Sequence, residues 1–291
     1  MLRNFIFGWE ECDLSIYRQA YATYGGSVCT HPDVLTYLSS KRNKEIKFFC
    51  RKKDGIVVSS IYSINGSLNL YSKSHPFVFE DIILPSATHS KSFLPVRTKK
   101  LSPLQKSSFI NSFSSKILND EICHMKPLFS TKTVRKRNGE RSRFLKLGGE
   151  ILDVNNLSTD EICDSYIDLF NVRWRGKVSP YPRENLLDAI NSLRHMIFGS
   201  ALAINKKIIA IDLIFKTECP GWIYFDDING GYDPQYNNIG AGSILLWENY
   251  NRARELCEQN EKKIIFSLGK YFSGMEYKKQ WCNISPLRCV F

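Results

Sequence analysis

The sequence has no apolar run approaching the roughly 20 residues that cross a bilayer, so no membrane span is expected. Its nine cysteines, an odd number, include no Cys-x-x-Cys pair. At 291 residues the chain is too long to depend on a disulfide framework, so the cysteines are expected to be reduced core residues. The five histidines, at 31, 75, 89, 124 and 195, show no metal-ligand spacing, and no metal is expected. A nucleophile elbow, a kinase lysine set and internal repeats are all missing. The first residues hold one arginine and a short apolar patch, Phe5, Ile6, Phe7 and Trp9, which Glu10, Glu11 and Asp13 end. That pattern lacks the apolar region and cleavage site of a secretory signal, and a cytoplasmic protein is expected.

What is present is the composition of a folded protein, 43% hydrophobic and 24% charged. The formal charge of +11 is uneven. Residues 1–125 carry net +6, residues 126–146 net +7 and residues 147–291 net −2. The basicity belongs to the middle and the N-terminal half.

Along the first half, residues 14–24 read as a helix stopped by Gly25-Gly26. Thr30 can cap a second helix, with Pro32 at its start. Strands are expected at 46–51, 56–64 and 67–71, turning at Asn65-Gly66, and a short one near 79–84. His75 and His89 fall in this Ser- and Pro-rich part and read as surface residues. A helix from about residue 131 is basic all round, with Val134 and Leu145 as its few apolar points. Its Lys132, Arg135, Lys136, Arg137, Arg141 and Arg143 fit a solvated linker, an anion or membrane-surface site, or nucleic acid. A strand at 149–154 follows. Ser158 and Glu161 then form a capping box that opens a helix burying Ile162, Tyr166 and Phe170. Residues 173–183, with Arg173, Arg175, Lys177 and Arg183, read as a connection or a substrate-side loop.

The stretch from Ile208 to Trp281 organises the rest. It reads as two strands turning at Pro220-Gly221, a Gly-containing loop, a helix and a further strand. In the helix, Leu246, Tyr250, Ala253 and Cys257 step by four, three and four residues. Strand, helix and strand in succession predict a right-handed parallel crossover. Tyr232-Asp233-Pro234, Gly240-Ala241-Gly242-Ser243-Ile244-Leu245-Leu246, Ile265-Phe266-Ser267-Leu268-Gly269 and Tyr277-Lys278-x-x-Trp281 resemble the tandem-GNAT group, which includes the Fem peptidoglycan peptidyltransferases. Gly25-Gly26-Ser27-Val28-x-Thr30-His31-Pro32, Trp222-Ile223-Tyr224-Phe225-Asp226-x-Ile228-Asn229-Gly230-Gly231 and Phe266-Ser267-x-Gly269-Lys270 are similar to the macrophage-inducible Mig-fourteen family.

The resemblance implies an α/β protein of tandem GNAT-like acyltransferase fold, with mixed sheets flanked by helices. Its units are residues 1–125 and 148–291, joined by the basic helix of 126–147. It further implies acyl or aminoacyl transfer at the inner face of the bacterial cytoplasmic membrane, resistance to cationic antimicrobial peptides, and virulence. Acyl-CoA or aminoacyl-tRNA would be the donor and an amine the acceptor. Asn237, Gly240, Ala241, Gly242 and Ser243 occupy the place of the pyrophosphate loop, where glycines and unpaired N–H groups admit a diphosphate. Tyr277 is the implied general acid and Lys278 the stabiliser of oxyanion charge. Asp226 and Asp227 alternate to opposite faces, and Asp226 is the candidate to deprotonate an amine if its pKa is raised. Asp212, inside an apolar strand, is expected in a salt bridge. The same residues also fit a non-catalytic protein that binds membrane or peptide, or a DNA-binding regulator.

Overall fold

The computed structural model describes residues 7–114 and 120–291, so Phe5 and Ile6 of the apolar patch lie outside the described residues. The chain opens with β1 (Glu10–Cys12), α1 (Leu14–Tyr24), α2 (Pro32–Arg42), β2 (Lys47–Lys53) and β3 (Ile56–Ser63). The three strands form an antiparallel sheet in the order β1-β2-β3. Gly25 ends α1 with φ at 78°, a backbone that a side chain would strain. The cap of α2 is His31, whose Nδ1 accepts from the Asp33 N–H, and not Thr30. Thr30 instead closes a box with Ser27 one turn earlier.

Two expected strands are missing. Asn65-Gly66 does turn the chain, with φ of 51° and 80°, but closes only the single bridge between Ile64 and Ser67. Residues 67–71 and 79–84 run as irregular chain. Leu68, Leu70, Phe79, Ile82, Ile83 and Leu84 are nevertheless buried. Their apolarity reflects packing, and their backbone bonds go to scattered partners, such as Ile82 N–H to the Lys100 carbonyl. β4 (Thr98–Leu101), β5 (Phe113–Ser114) and β6 (Glu121–Met125) follow.

The second half runs α3 (Thr131–Lys146), β7 (Gly149–Asp153), α4 (Thr159–Trp174), α5 (Arg183–Ser192), β8 (Ile197–Phe198), β9 (Ser200–Ile204), β10 (Lys207–Glu218) and β11 (Trp222–Tyr232). It ends with α6 (Ala241–Gln259), β12 (Lys263–Lys270), α7 (Lys278–Trp281), β13 (Cys282–Pro286) and β14 (Arg288–Val290). Ser158 and Glu161 form the expected capping box on α4. The large sheet has the order β13-β6-β12-β11-β10-β9-β7, with β8 beside β10. β11 and β12 are parallel and are joined by α6, as the strand–helix–strand pattern predicts.

The two halves exchange strands. β6 lies in the large sheet between β12 and β13, and β14 returns to lie between β4 and β5. One apolar core therefore runs from Tyr17, Tyr62 and Phe77 to Tyr166, Leu213 and Tyr224. The opposite face of the large sheet packs Phe225 and Phe266 against Trp247 and Tyr250 of α6. Alternation along β11 sends Tyr224 to the first core and Ile223 and Phe225 to the second.

α3 lies along α6. Phe144 is fully buried, Trp247 Nε1 donates to Asn138 Oδ1 at 2.8 Å, and Arg141 pairs with Glu248 at 2.6 Å. The helix is thus basic on its outer side, where Lys132, Arg135, Lys136 and Arg143 are exposed, and not all round. Leu145 is exposed, and Phe144 takes the anchoring place expected of it.

Two glycines give opposite expectations. A Cβ at Gly139 meets open space in mid-helix, so Gly139→Ala should stabilise by about 1 kcal/mol. A Cβ at Gly231 would sit 2.6 Å from the backbone of Leu169 and Phe170, so Gly231→Ala should destabilise by about 1–3 kcal/mol. Urea unfolding midpoints of the two variants check both signs.

Candidate functional site

The parallel pairing of β11 and β12 begins at Trp222 and Lys263 and stops at Asp226 and Ser267. Beyond that point β11 stays with β10, and β12 continues beside β6. Ile228 is an extra residue in β11, since Asp227 opposes Ile214 and Asn229 opposes Leu213. Such a bulge bends the strand and re-aims its side chains. The divergence opens a cleft of about 770 Å³.

The first turn of α6 forms one wall. Gly240 sits at φ 75°, and its carbonyl accepts from the N–H groups of Ser243 and Ile244 at 2.9 and 3.0 Å. The N–H groups of Ala241 and Gly242 remain the unmatched donors of the helix start, where the helix dipole also favours negative charge. A Cβ on Gly242 would stand 3.3 Å from the Tyr232 ring, which would have to give by a few tenths of an ångström. Asn237, Gly240, Ala241, Gly242 and Ser243 all line the cleft.

Tyr277 and Lys278 line it from the other side. Lys278 is 7% exposed, and its Nζ donates to the carbonyls of Leu268 at 2.6 Å and Lys270 at 2.8 Å. Two of its three protons are thereby committed to the diverging end of β12. Tyr277 is half exposed, and partial burial raises its pKa, with Asp227 and Asp212 adding to the rise and Arg173 opposing it.

Asp212 and Asp227 stand at the floor, on the α6 side of the sheet. Burial pushes the Asp212 carboxyl up to about 6, against the charge of Arg173 and a hydrogen bond from Asn249 Nδ2 at 3.1 Å. The salt bridge expected at Asp212 is therefore absent among the described residues. An amide is its hydrogen-bond partner, and Arg173 acts only through its field. Burial, and then the Asp212 charge, hold Asp227 well above the usual carboxylate range, with Lys278 and Arg173 opposing. Arg173, at the end of α4, donates to the Gly230 carbonyl at 2.6 Å and lies over the Tyr232 ring at 5.0 Å.

Asp226 is elsewhere. It points to the opposite face, buried, beside Asp81. There Tyr224 donates to Asp81 Oδ2 at 2.9 Å, and His124 Nε2 meets the same oxygen at 2.8 Å. Burial, then Asp81 and Glu80, keep the Asp226 carboxyl well above its usual range. The structure does not bring Asp226 into the cleft with Tyr277 and Lys278, and it does bring Asp227. Of the six candidate cations on α3, Lys132, Arg135, Lys136 and Arg143 face outward, Arg141 is tied to Glu248, and Arg137 enters the cleft. Among the described residues no group of three His, Cys, Asp or Glu side chains has the arrangement of a metal site. No helix among them is long and apolar enough to cross a membrane.

The model of one family, Mig-14, matches residues 31–290. The chain belongs to the Mig-14 family. No curated protein matches the sequence. Among solved structures, this Mig-14 protein is similar to FemX, with 7% identity over 96% of this chain and 95% of that one and a TM-score of 0.62. It is also similar to L-PGS from Bacillus licheniformis, with 12% identity over 96% and 92% and a TM-score of 0.55. The C-terminal domain of a putative lysylphosphatidylglycerol synthetase from Agrobacterium fabrum matches at 14% identity, with a TM-score of 0.42. That last match covers 65% of each chain, so the Mig-14 chain spans about two thirds of the domain. The fold is the expected GNAT-like one, of the Fem type.

The raised carboxyls fix a sign for pH dependence. Asp212 and Asp227 hold protons in the folded state at pH values where the unfolded chain has released them. Their contribution to stability is therefore present at low pH and is lost as pH rises through about 6 and above. Asp227→Asn removes this loss. Its Tm should exceed that of the parent at pH 8 by on the order of 2–4 °C, with the gap closing toward pH 4. Thermal melts would show a gap that stays constant across that range if the carboxyl ionised normally.

Proposed function

We propose that this Mig-14 protein is an acyl- or aminoacyltransferase-type enzyme whose donor carries phosphate, as acyl-CoA or aminoacyl-tRNA does, and whose acceptor is an amine. The observation that carries the reading is the meeting, in one cleft, of unmatched N–H groups at a helix start and a carboxyl of raised proton affinity. The first suits a phosphate, and the second suits a base that works near neutral pH. In this reading Asp227 takes the proton of the amine as its nitrogen bonds to the donor carbonyl carbon. The developing oxyanion faces the remaining Lys278 N–H and the Arg173 charge. Collapse breaks the bond to the carrier sulfur or oxygen, and Tyr277 supplies the proton to that leaving atom.

The outer side of α3 supports a peripheral location on an anionic membrane surface. Lys132, Arg135, Lys136 and Arg143 share that side, and Leu128 and Leu147 are exposed at its two ends, at 82% and 58%. Each cation near such a surface contributes about 1 kcal/mol. Within the same reading, the protein acts at the inner face of the cytoplasmic membrane and contributes to resistance to cationic antimicrobial peptides and to virulence.

Thermal shift against acetyl-CoA, longer acyl-CoAs and free CoA tests the donor side. A rise that Gly242→Trp abolishes supports it, and no rise with any CoA or with aminoacylated RNA overturns it. In a transfer assay, Asp227→Asn should lower kcat by about 10²–10⁴-fold, while Asp226→Asn leaves it near parent level. Vesicle flotation gives the location: Arg135→Glu with Lys136→Glu should release the protein from anionic vesicles without changing transfer to a soluble acceptor.

A further inference from the structure

The loop that meets the α6 start carries no cation of its own: Asn237, Asn238, Ile239, Gly240, Ala241, Gly242 and Ser243 are all neutral. A doubly charged group placed there meets N–H donors and a dipole but no counter-charge from that loop. The charge arrives from α3. Arg137 lines the same cleft as Gly242, Ser243 and Leu246. Its side chain is 11% exposed, and its guanidinium lies over the Trp281 ring at 4.5 Å. Nη1 donates to Glu140 Oε2 at 2.8 Å, while Nε has no acceptor. The bonds of Asn138 to Trp247 and Arg141 to Glu248, both just beyond Arg137 in the helix, hold α3 against α6 so that Arg137 faces inward. Glu140 and Trp281 hold the planar group by one edge and one face, and the other edge, whose Nε is itself buried, has no protein partner among the described residues.

We infer that Arg137 is the phosphate-binding cation of the cleft. It is delivered by the basic helix and completes a donor site whose loop supplies only backbone N–H groups. The inference rests on the donor reading above and adds its specificity: the recognised group is the phosphate of the carrier, shared by CoA and an RNA end. The outward residues of α3 have no part in it. Glu140 and Trp281 are positioning residues that act through Arg137.

Calorimetric titration of the full chain with CoA, with pantetheine, which lacks the phosphates, and with a short aminoacylated RNA hairpin tests this. Whichever phosphate-bearing probe the parent binds should bind Arg137→Met about 10–100-fold more weakly, with pantetheine unchanged. Lys132→Met, an outward cation, should bind like the parent. Arg137→Lys, which keeps the charge and loses the fork, should fall between. Melting without ligand checks that the variants fold. If Arg137→Met loses its fold, the comparison of Arg137→Lys with the parent decides. Equal affinity of parent and Arg137 variants for CoA and RNA overturns the role of Arg137 and leaves the donor reading standing. A parent that binds neither CoA nor RNA overturns both.

Discussion

Everything at the site depends on where two parallel strands stop pairing. Up to Asp226 and Ser267, β11 and β12 share backbone hydrogen bonds and bury Phe225 against Phe266. Two residues further the bulge at Ile228 holds β11 to β10, and β12 turns with β6. Unpaired backbone must find partners. At this opening Lys278 provides one answer, with its ammonium between the carbonyls of Leu268 and Lys270. The lysine therefore belongs both to the architecture of the gap and to the chemistry within it. The α6 start is set beside the opening because a parallel crossover returns its helix there.

Electrostatics then divide the cleft. The sheet places carboxyls at the floor, where burial and mutual repulsion favour protons on Asp212 and Asp227. Cations reach the same space from four separate elements: Arg137 from α3, Arg173 from α4, Lys270 from β12 and Lys278 from α7. On Asp227, Lys278 and Arg173 moderate a shift that burial drives. A base made this way gains proton affinity, which suits removal of a proton from an incoming nucleophile.

Local rules were readable where the physics is local. Ser158 with Glu161, Gly25 and the period of α6 each act within a few residues, and the structure places them accordingly. The strands expected at 67–71 and 79–84 misled because buried apolar side chains do not require a ladder: Leu68 and Ile82 pack fully with isolated backbone bonds. The insertion of β6 beside β12 joins residues far apart in sequence, and no spacing encodes it. At the site, the glycine loop, Tyr277 and Lys278 carried a readable pattern. Alternation separated Asp226 from Asp227 but could not tell which side held the cleft. Arg137 was one of six equal cations until its helix was laid against α6. Asp212 was visible as a charge in an apolar strand, the one signal that pointed to the missed carboxyl pair.

The exchange of β6 and β14 has a consequence for biosynthesis. A ribosome delivers β4 and β5 long before β14, so the small sheet emerges with an empty slot at its middle. β6 likewise appears before either of its neighbours, β12 and β13, exists. Neither half can mature while the other is still being made. The two sheets close only when the last strands arrive, and the nascent chain carries exposed sheet edges until then.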